Sequence, residues 1–257
     1  MEKCWAKSLG DCDRGLSLEH FVSKNLFPDG KVTVAGFNWL KGEHKTLPIN
    51  SVAANVLCVK HNNDLSELDT AIKQFSNIVK NIEAREAVLK SVGAFGLKTN
   101  EYTVDGNIIE RWLAKSVIGL FCGAANQEPS KVWQDNGQDR YYPPKQVVDA
   151  IYGKTKFKSP MGLYLLENLP TEIKINTDIG ISILHCEEDE KVKGVVGGVF
   201  NLNNVTFLIW LSPLPIKTFN DQHQIFERGN QMWYRSKDIC YTANQMLTSV
   251  IHLSYSS

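Results

Sequence analysis

Two cysteines, Cys4 and Cys12, stand ahead of an adjacent Glu19-His20 pair. A Cys58-x-x-His61 pair, followed at once by Asn62, comes further along the chain. Cys4, Cys12, Cys58 and His61 make a Cys3His set, the nitrogen-and-sulfur composition of a closed structural zinc site. The Cys58–His61 spacing is that of a zinc knuckle, whereas Cys4 and Cys12 stand further apart than the usual two to four intervening residues. A zinc clip here would fold residues 4–12 back onto residues 58–61 and bring Glu19 and His20 towards Asn62. A carboxylate from Glu19 and an amide carbonyl from Asn62 are hard oxygen donors, the kind that hold Mg²⁺ or Mn²⁺ together with waters and a phosphate oxygen. His20 beside them would take a proton from water near neutral pH. Taken alone, a Glu-His pair is more often plain solvated surface.

The elements that must position these residues follow from periodicity. KVTVAGF (31–37) alternates and is β-branched, and KTLPI (45–49) is a second short extended piece, which together predict a hairpin. ANVLCVKH (54–61) leads into a helix over 65–83, where Leu68, Ile72, Phe75, Ile78, Val79 and Ile82 recur at helical spacing and Ser66 with Asp69 resembles a capping box. Residues 84–100 read as mixed, with a second helix ending near Gly93. NIIERWLAKSVIGLFCG (107–123) is a helix apolar on more than one face, hence central to the core. KQVVDAIYG (145–153) is a short helix. GISILHCE (180–187), VKGVVGGVFNL (192–202) and NVTFLIWLS (204–212) read as an antiparallel meander. The tail 238–253 is compatible with helix or strand.

The expected fold class is therefore α+β, in three consecutive regions: 1–85 around the zinc set, 86–160 helical, and 161–257 antiparallel and β-rich. With 43% hydrophobic and 22% charged residues the chain can bury a real core. Its formal net charge of +0 excludes a strong whole-molecule field drawing it onto nucleic acid, so any such contact needs a local basic patch or a bound cation. No run of apolar residues is long enough to span a membrane, and MEKCWAKSLGDCDRG lacks the apolar stretch of a signal peptide. The expected compartment is the cytoplasm, where the six cysteines are thiols or metal ligands. Cys122, Cys186 and Cys240 sit in apolar runs and read as buried core thiols.

The pattern Cys…Cys…Glu-His…Leu-Cys-x-x-His-Asn…Leu-Asp, covering residues 4–70, resembles the HNH endonuclease family in its ββα-metal, treble-clef form. The resemblance implies an N-terminal ββα-metal module and a metal-dependent endonuclease that hydrolyses phosphodiesters, in DNA rather than RNA. It implies Glu19 and Asn62 as ligands of a catalytic Mg²⁺ or Mn²⁺, and His20 as the general base. Cys4, Cys12, Cys58 and His61 become the structural zinc set. It also implies a restriction or anti-phage effector role, with a protein partner or a homo-oligomer supplying the targeting. The family often places an Asn before the knuckle to orient the base histidine; Asn50 and Asn55 flank that position.

Other residues have weaker claims. Lys154, Lys156 and Lys158, interleaved with Phe157 and following Tyr152, are candidates for phosphate contact; a lysine-protected edge strand is the plainer reading. Asp69 is either an acid behind a metal-site group or a first-turn helix acid. Glu110 and Arg111 read as an exposed turn of their helix. The competing function is a non-catalytic zinc-stapled module that binds nucleic acid or protein, in which Glu19, His20 and Asn62 are incidental.

Overall fold

The computed structural model describes residues 3–35, 40, 41, 43–92, 98–125, 133–135, 138–140, 142–167, 179–186, 194–203, 205–213, 231–243 and 246–255. Along the chain run β1 (Leu16–His20), β2 (Lys31–Ala35), β3 (Lys45–Pro48), β4 (Ala53–Cys58), α1 (Val59–Asn63), α2 (Ser66–Val92), β5 (Asn100–Asp105) and α3 (Gly106–Ala125). There follow β6 (Trp133–Asp135), β7 (Gln138–Arg140), α4 (Lys145–Ile151), β8 (Gly162–Glu167), β9 (Ile179–Cys186), β10 (Gly194–Leu202), β11 (Val205–Trp210), β12 (Gln231–Tyr234), β13 (Asp238–Ala243) and β14 (Met246–Ser254). The class is mixed α+β, with an antiparallel, β-rich C-terminal part. Among the described residues no helix is long and apolar enough to cross a membrane.

Strand β1 pairs antiparallel with β4, Leu16 opposite Cys58 and His20 opposite Ala53, with a bulge between Ser17 and Glu19. The main sheet has seven strands in the order β12-β8-β11-β10-β9-β2-β3. The expected hairpin of β2 and β3 forms, Lys31 facing Pro48, but it joins this sheet through a parallel pairing of β2 with β9, Thr33 to Gly180. The regions 1–85 and 161–257 therefore share one sheet, and their strands are interleaved. The apolar face of the short hairpin explains this: Val32 and Val34 are each 1% exposed, and two strands cannot bury such a face alone. A third sheet, β13-β14-β5, places β5 parallel to β14.

Helix α2 does not end at residue 83. It continues to Val92, so the second helix expected after residue 84 is the last part of α2. Ala84, Glu86, Ala87 and Leu89 favour helix intrinsically, and Glu86 is drawn inward by the hydroxyl of Thr248. Helix α3 is the central strut. Ile109, Trp112, Leu113, Val117 and Ile118 are wholly buried, as its apolar pattern requires. It crosses β10 so closely that a Cβ on Gly198 would lie 2.5 Å from Val117 Cγ2. The tail is two strands, and β5, β8 and the short β6–β7 pair add to the expected elements.

Two surface expectations are corrected. Glu110 is buried; it accepts from Arg235 Nε at 3.1 Å and Nη2 at 2.9 Å and from the Leu163 N–H at 2.8 Å. Arg111 pairs with Glu67 at 3.1 Å and donates to the Ile151 carbonyl at 2.7 Å. Cys240 is exposed, because strand alternation turns Ile239 inward and Cys240 outward, and Cys122 on α3 is only half-buried. The exposure of Cys186 lies outside the described residues.

Candidate metal centre and its neighbours

The N-terminal loop is shaped by its backbone. Trp5 N–H donates to the Val56 carbonyl at 2.9 Å, laying Cys4 beside the end of β4. A 3-10 turn, Lys7–Leu9, then closes on Gly10, whose φ of 86° is left-handed. Such a reversal suits a glycine. It returns the chain to Cys12, and this is how a spacing wider than a knuckle still delivers both sulfurs to one place. Gly15, with φ 80°, turns the chain into β1, where its carbonyl accepts from Val59 N–H at 3.0 Å.

Cys58 ends β4 and is the N-cap of α1, its sulfur accepting the His61 N–H at 3.4 Å. Cys4 Sγ accepts the Cys58 N–H at 3.4 Å. His61 Nδ1 lies 3.3 Å from Cys4 Sγ and 3.7 Å from Cys12 Sγ. The ligand atoms of Cys4, Cys12, Cys58 and His61 all fall within 4.8 Å of one another. A tetrahedral Zn²⁺ with Zn–S and Zn–N bonds of about 2.3 and 2.0 Å needs ligand atoms about 3.5 Å or a little more apart. The donors fit a metal such as zinc. Bound there, it would staple the N-terminal loop to the β4–α1 junction.

Residues behind the ligands complete the centre. His61 Nε2 lies 2.8 Å from Asp11 Oδ1, and Lys60 Nζ holds the other oxygen at 2.7 Å. Lys60 first, and His61 next, keep the Asp11 carboxyl well below the usual carboxylate range. Tyr152, just past α4, donates its hydroxyl to the His61 carbonyl at 2.9 Å and sets its ring edge-on to the imidazole at 5.5 Å. Trp5 packs on the same phenol at 5.9 Å. Burial lifts the thiol of Cys4 to about 12 and raises that of Cys12. Burial also works to raise Cys58, but the His61 and Asp13 backbone donors outweigh it and its pKa falls below the ordinary value.

The residues read as catalytic are placed as follows. His20, at the end of β1, is half-buried, and its Nε2 lies 3.4 Å from Oδ1 of the exposed Asn50. Of the two flanking asparagines, Asn50 is therefore the one that contacts it. Glu19 is 5% exposed and faces Lys115 of α3, whose Nζ stands 2.8 Å from Oε1. Burial raises the Glu19 carboxyl above its ordinary range, and the Lys115 charge offsets this only in part. Asn62 Nδ2 donates to Ser17 Oγ at 3.0 Å. One oxygen of Glu19 is thus engaged by an ammonium and the amide of Asn62 by a hydroxyl. Lys115 thus stands where a Mg²⁺ or Mn²⁺ ion would meet Oε1 of Glu19, while the bond of Asn62 to Ser17 uses its amide nitrogen and not the oxygen expected as a ligand.

Asp69 lies in the first turn of α2, as one of its two readings expected. Its carboxylate takes Lys115 Nζ at 2.9 and 3.0 Å, the Trp112 indole N–H at 3.2 Å and the Ser23 hydroxyl. Lys154, Lys156 and Lys158 are exposed on the irregular segment after α4, around the buried Phe157, and form no strand.

Sequence reasoning missed Asp11, Tyr152 and Lys115. Lys115 carried a usable signal: a lone lysine in WLAKSVIGLF, on a helix apolar nearly all round, must find a buried acid. Asp11 stands directly before a ligand cysteine, a weaker cue. Comparison of the chain with family models, with curated proteins and with solved structures gives no match.

Proposed function

We propose that this chain is a zinc-stapled endonuclease that hydrolyses phosphodiesters, in DNA rather than RNA, with His20 as general base. The observation that carries the reading is the contact of His20, at the end of β1, with Asn50, just before β4, the strand that pairs with β1 and runs directly into the Cys3His set. The HNH resemblance supports the reading by assigning the base to a histidine at a strand end and the zinc set to the cysteines and histidine beside it.

An amide oxygen only accepts, so Nε2 of His20 carries the ring proton and Nδ1 the lone pair. Nδ1 takes a proton from water, the water oxygen forms a bond to phosphorus, and the P–O3′ bond breaks, the 3′ oxygen leaving with a proton from solvent. No step is assigned to a divalent ion at Glu19 and Asn62. The exposed Lys154, Lys156 and Lys158 follow Tyr152, which touches the knuckle itself, and would meet phosphates there. With a net charge of +0 the unaided affinity would be modest, so a protein partner or a second copy would supply targeting.

A second reading is favoured by the pairing of Glu19 with Lys115, which leaves that carboxylate already neutralised. In it the zinc-stapled fold binds nucleic acid or protein without cutting. Cleavage of plasmid and single-stranded DNA by wild type and His20→Ala, with and without Mg²⁺ or Mn²⁺ and with zinc quantified in the same samples, separates the two. Activity lost in the variant with zinc retained supports the nuclease. Inactivity of both with one zinc bound supports the binding module, and activity that survives the substitution removes His20 from the site.

A further inference from the structure

Where β1, α2 and α3 meet lies a charged cluster in which Lys115 and Glu19 are buried and Asp69 is half-buried. Lys115 projects from α3 and is 2% exposed, among the largest fully buried side chains of the described residues. Three carboxylate oxygens surround its Nζ: Glu19 Oε1 at 2.8 Å, Asp69 Oδ2 at 2.9 Å and Asp69 Oδ1 at 3.0 Å. Asp69 is held in turn by Ser23 and Trp112, and the Trp112 N–H also donates to Ser23 Oγ at 2.8 Å. Strand β1, α2 and α3 thus meet at one ammonium.

We propose that Lys115 is the resident cation of Glu19, closing this carboxylate to divalent metals and fixing the end of β1 on which His20 stands. A Mg²⁺ or Mn²⁺ ion takes oxygen ligands at about 2.0–2.2 Å and keeps several waters. An ion at Glu19 would stand against an ammonium 2.8 Å from the same oxygen, so the two cations compete for one carboxylate. Expelling the ammonium would leave Lys115, 2% exposed, with Asp69 as its one remaining carboxylate. The tie also explains a bulged edge: β1 is irregular between Ser17 and Glu19, and the shift turns Glu19 inward while Leu18 is 59% exposed.

The role given to His20 rests on the nuclease reading, but the exclusion of metal does not, so the test is one of binding. Mn²⁺ is titrated into the zinc-loaded full chain and the free-ion EPR signal is followed for wild type, Glu19→Gln, Lys115→Met and the double variant. Folding is checked by circular dichroism and zinc content. Wild type and Glu19→Gln should bind Mn²⁺ alike. Lys115→Met should bind at least about tenfold more tightly, and the double variant should lose that gain. A Mn²⁺ ion held by wild type and released in Glu19→Gln overturns the proposal, as does a folded Lys115→Met that gains nothing. Should Lys115→Met fail to fold, the comparison of wild type with Glu19→Gln decides alone. The cleavage assay with His20→Ala answers separately for the nuclease, so either idea can fail without the other.

Discussion

Nε2 of His61 lies 2.8 Å from Oδ1 of Asp11, and this contact leaves Nδ1 to face the sulfurs of Cys4 and Cys12. A carboxylate behind a ligand imidazole fixes the tautomer and the ring plane and makes the coordinating nitrogen more basic. Replacing Asp11 with alanine should weaken zinc binding by about 10–100-fold with the fold retained. Competition with a chromophoric chelator measures it; unchanged affinity would show that Asp11 serves Lys60 rather than the metal centre.

Zinc uptake should release protons. Zinc takes thiolates, yet burial holds Cys4 at about 12 and raises Cys12 in the metal-free protein, so both carry protons at neutral pH. The sign follows: as pH rises fewer protons must be displaced and binding tightens, by about 100-fold per pH unit for two protons. Isothermal titration in buffers of different ionisation enthalpy should count two to three protons near pH 7. A count near zero would mean that the thiolates are already formed without metal.

Removing the metal should uncover one fast-reacting thiol. Cys240 is exposed, while burial pushes the Cys122 thiol up to about 12. Chelation should therefore add one fast-reacting thiol to a disulfide-exchange titration, that of the half-buried Cys12, with the buried Cys4 and Cys58 reacting slowly. Cys12→Ser should abolish the fast increment.

The Glu110–Arg235 pair should be costly to break. The Glu110 side chain is 3% exposed and that of Arg235 21%, and the guanidinium grips both oxygens. Arg235→Met strands a buried carboxylate and should lower stability by about 3 kcal/mol in urea denaturation. Replacing both partners should restore part of the loss.

Gly198→Ala tests how tightly α3 sits on the main sheet. The added methyl would lie 2.5 Å from Val117 Cγ2 and 3.1 Å from the Ser182 carbonyl oxygen. Overpacking of this kind costs about 1–3 kcal/mol. A neutral substitution would mean that α3 shifts freely over β10.

The metal centre was legible because its information is local in type: three cysteines and a histidine, with one knuckle at the start of a helix. The route from Cys4 to Cys12 was less so, since it depends on the left-handed turn at Gly10. Helices α3 and α4 follow from their apolar rows, and the meander of β9, β10 and β11 from alternation. Strand β5 was missed because its partner β14 lies at the far end of the chain, and NEYTVD has little apolar character of its own. The last turns of α2 were misread because apolar spacing thins after Ile82, although the residues there are good helix formers. The partners of Glu19 and Glu110 are side chains brought in by tertiary packing, from Lys115 and Arg235, and no spacing rule links them.

The parallel seam between β2 and β9 has a consequence for synthesis. Residues 31–35 leave the ribosome long before residues 179–186 exist. The ribbon of β2 and β3 must wait with an open edge while the zinc knuckle beside it can already close. A metal held by Cys4, Cys12, Cys58 and His61 would thus staple the nascent chain before its main sheet can form. A fragment stopping before β9 would leave that edge unpaired for good, a template for joining strands of other chains. Supplying the missing strands in trans should cap it.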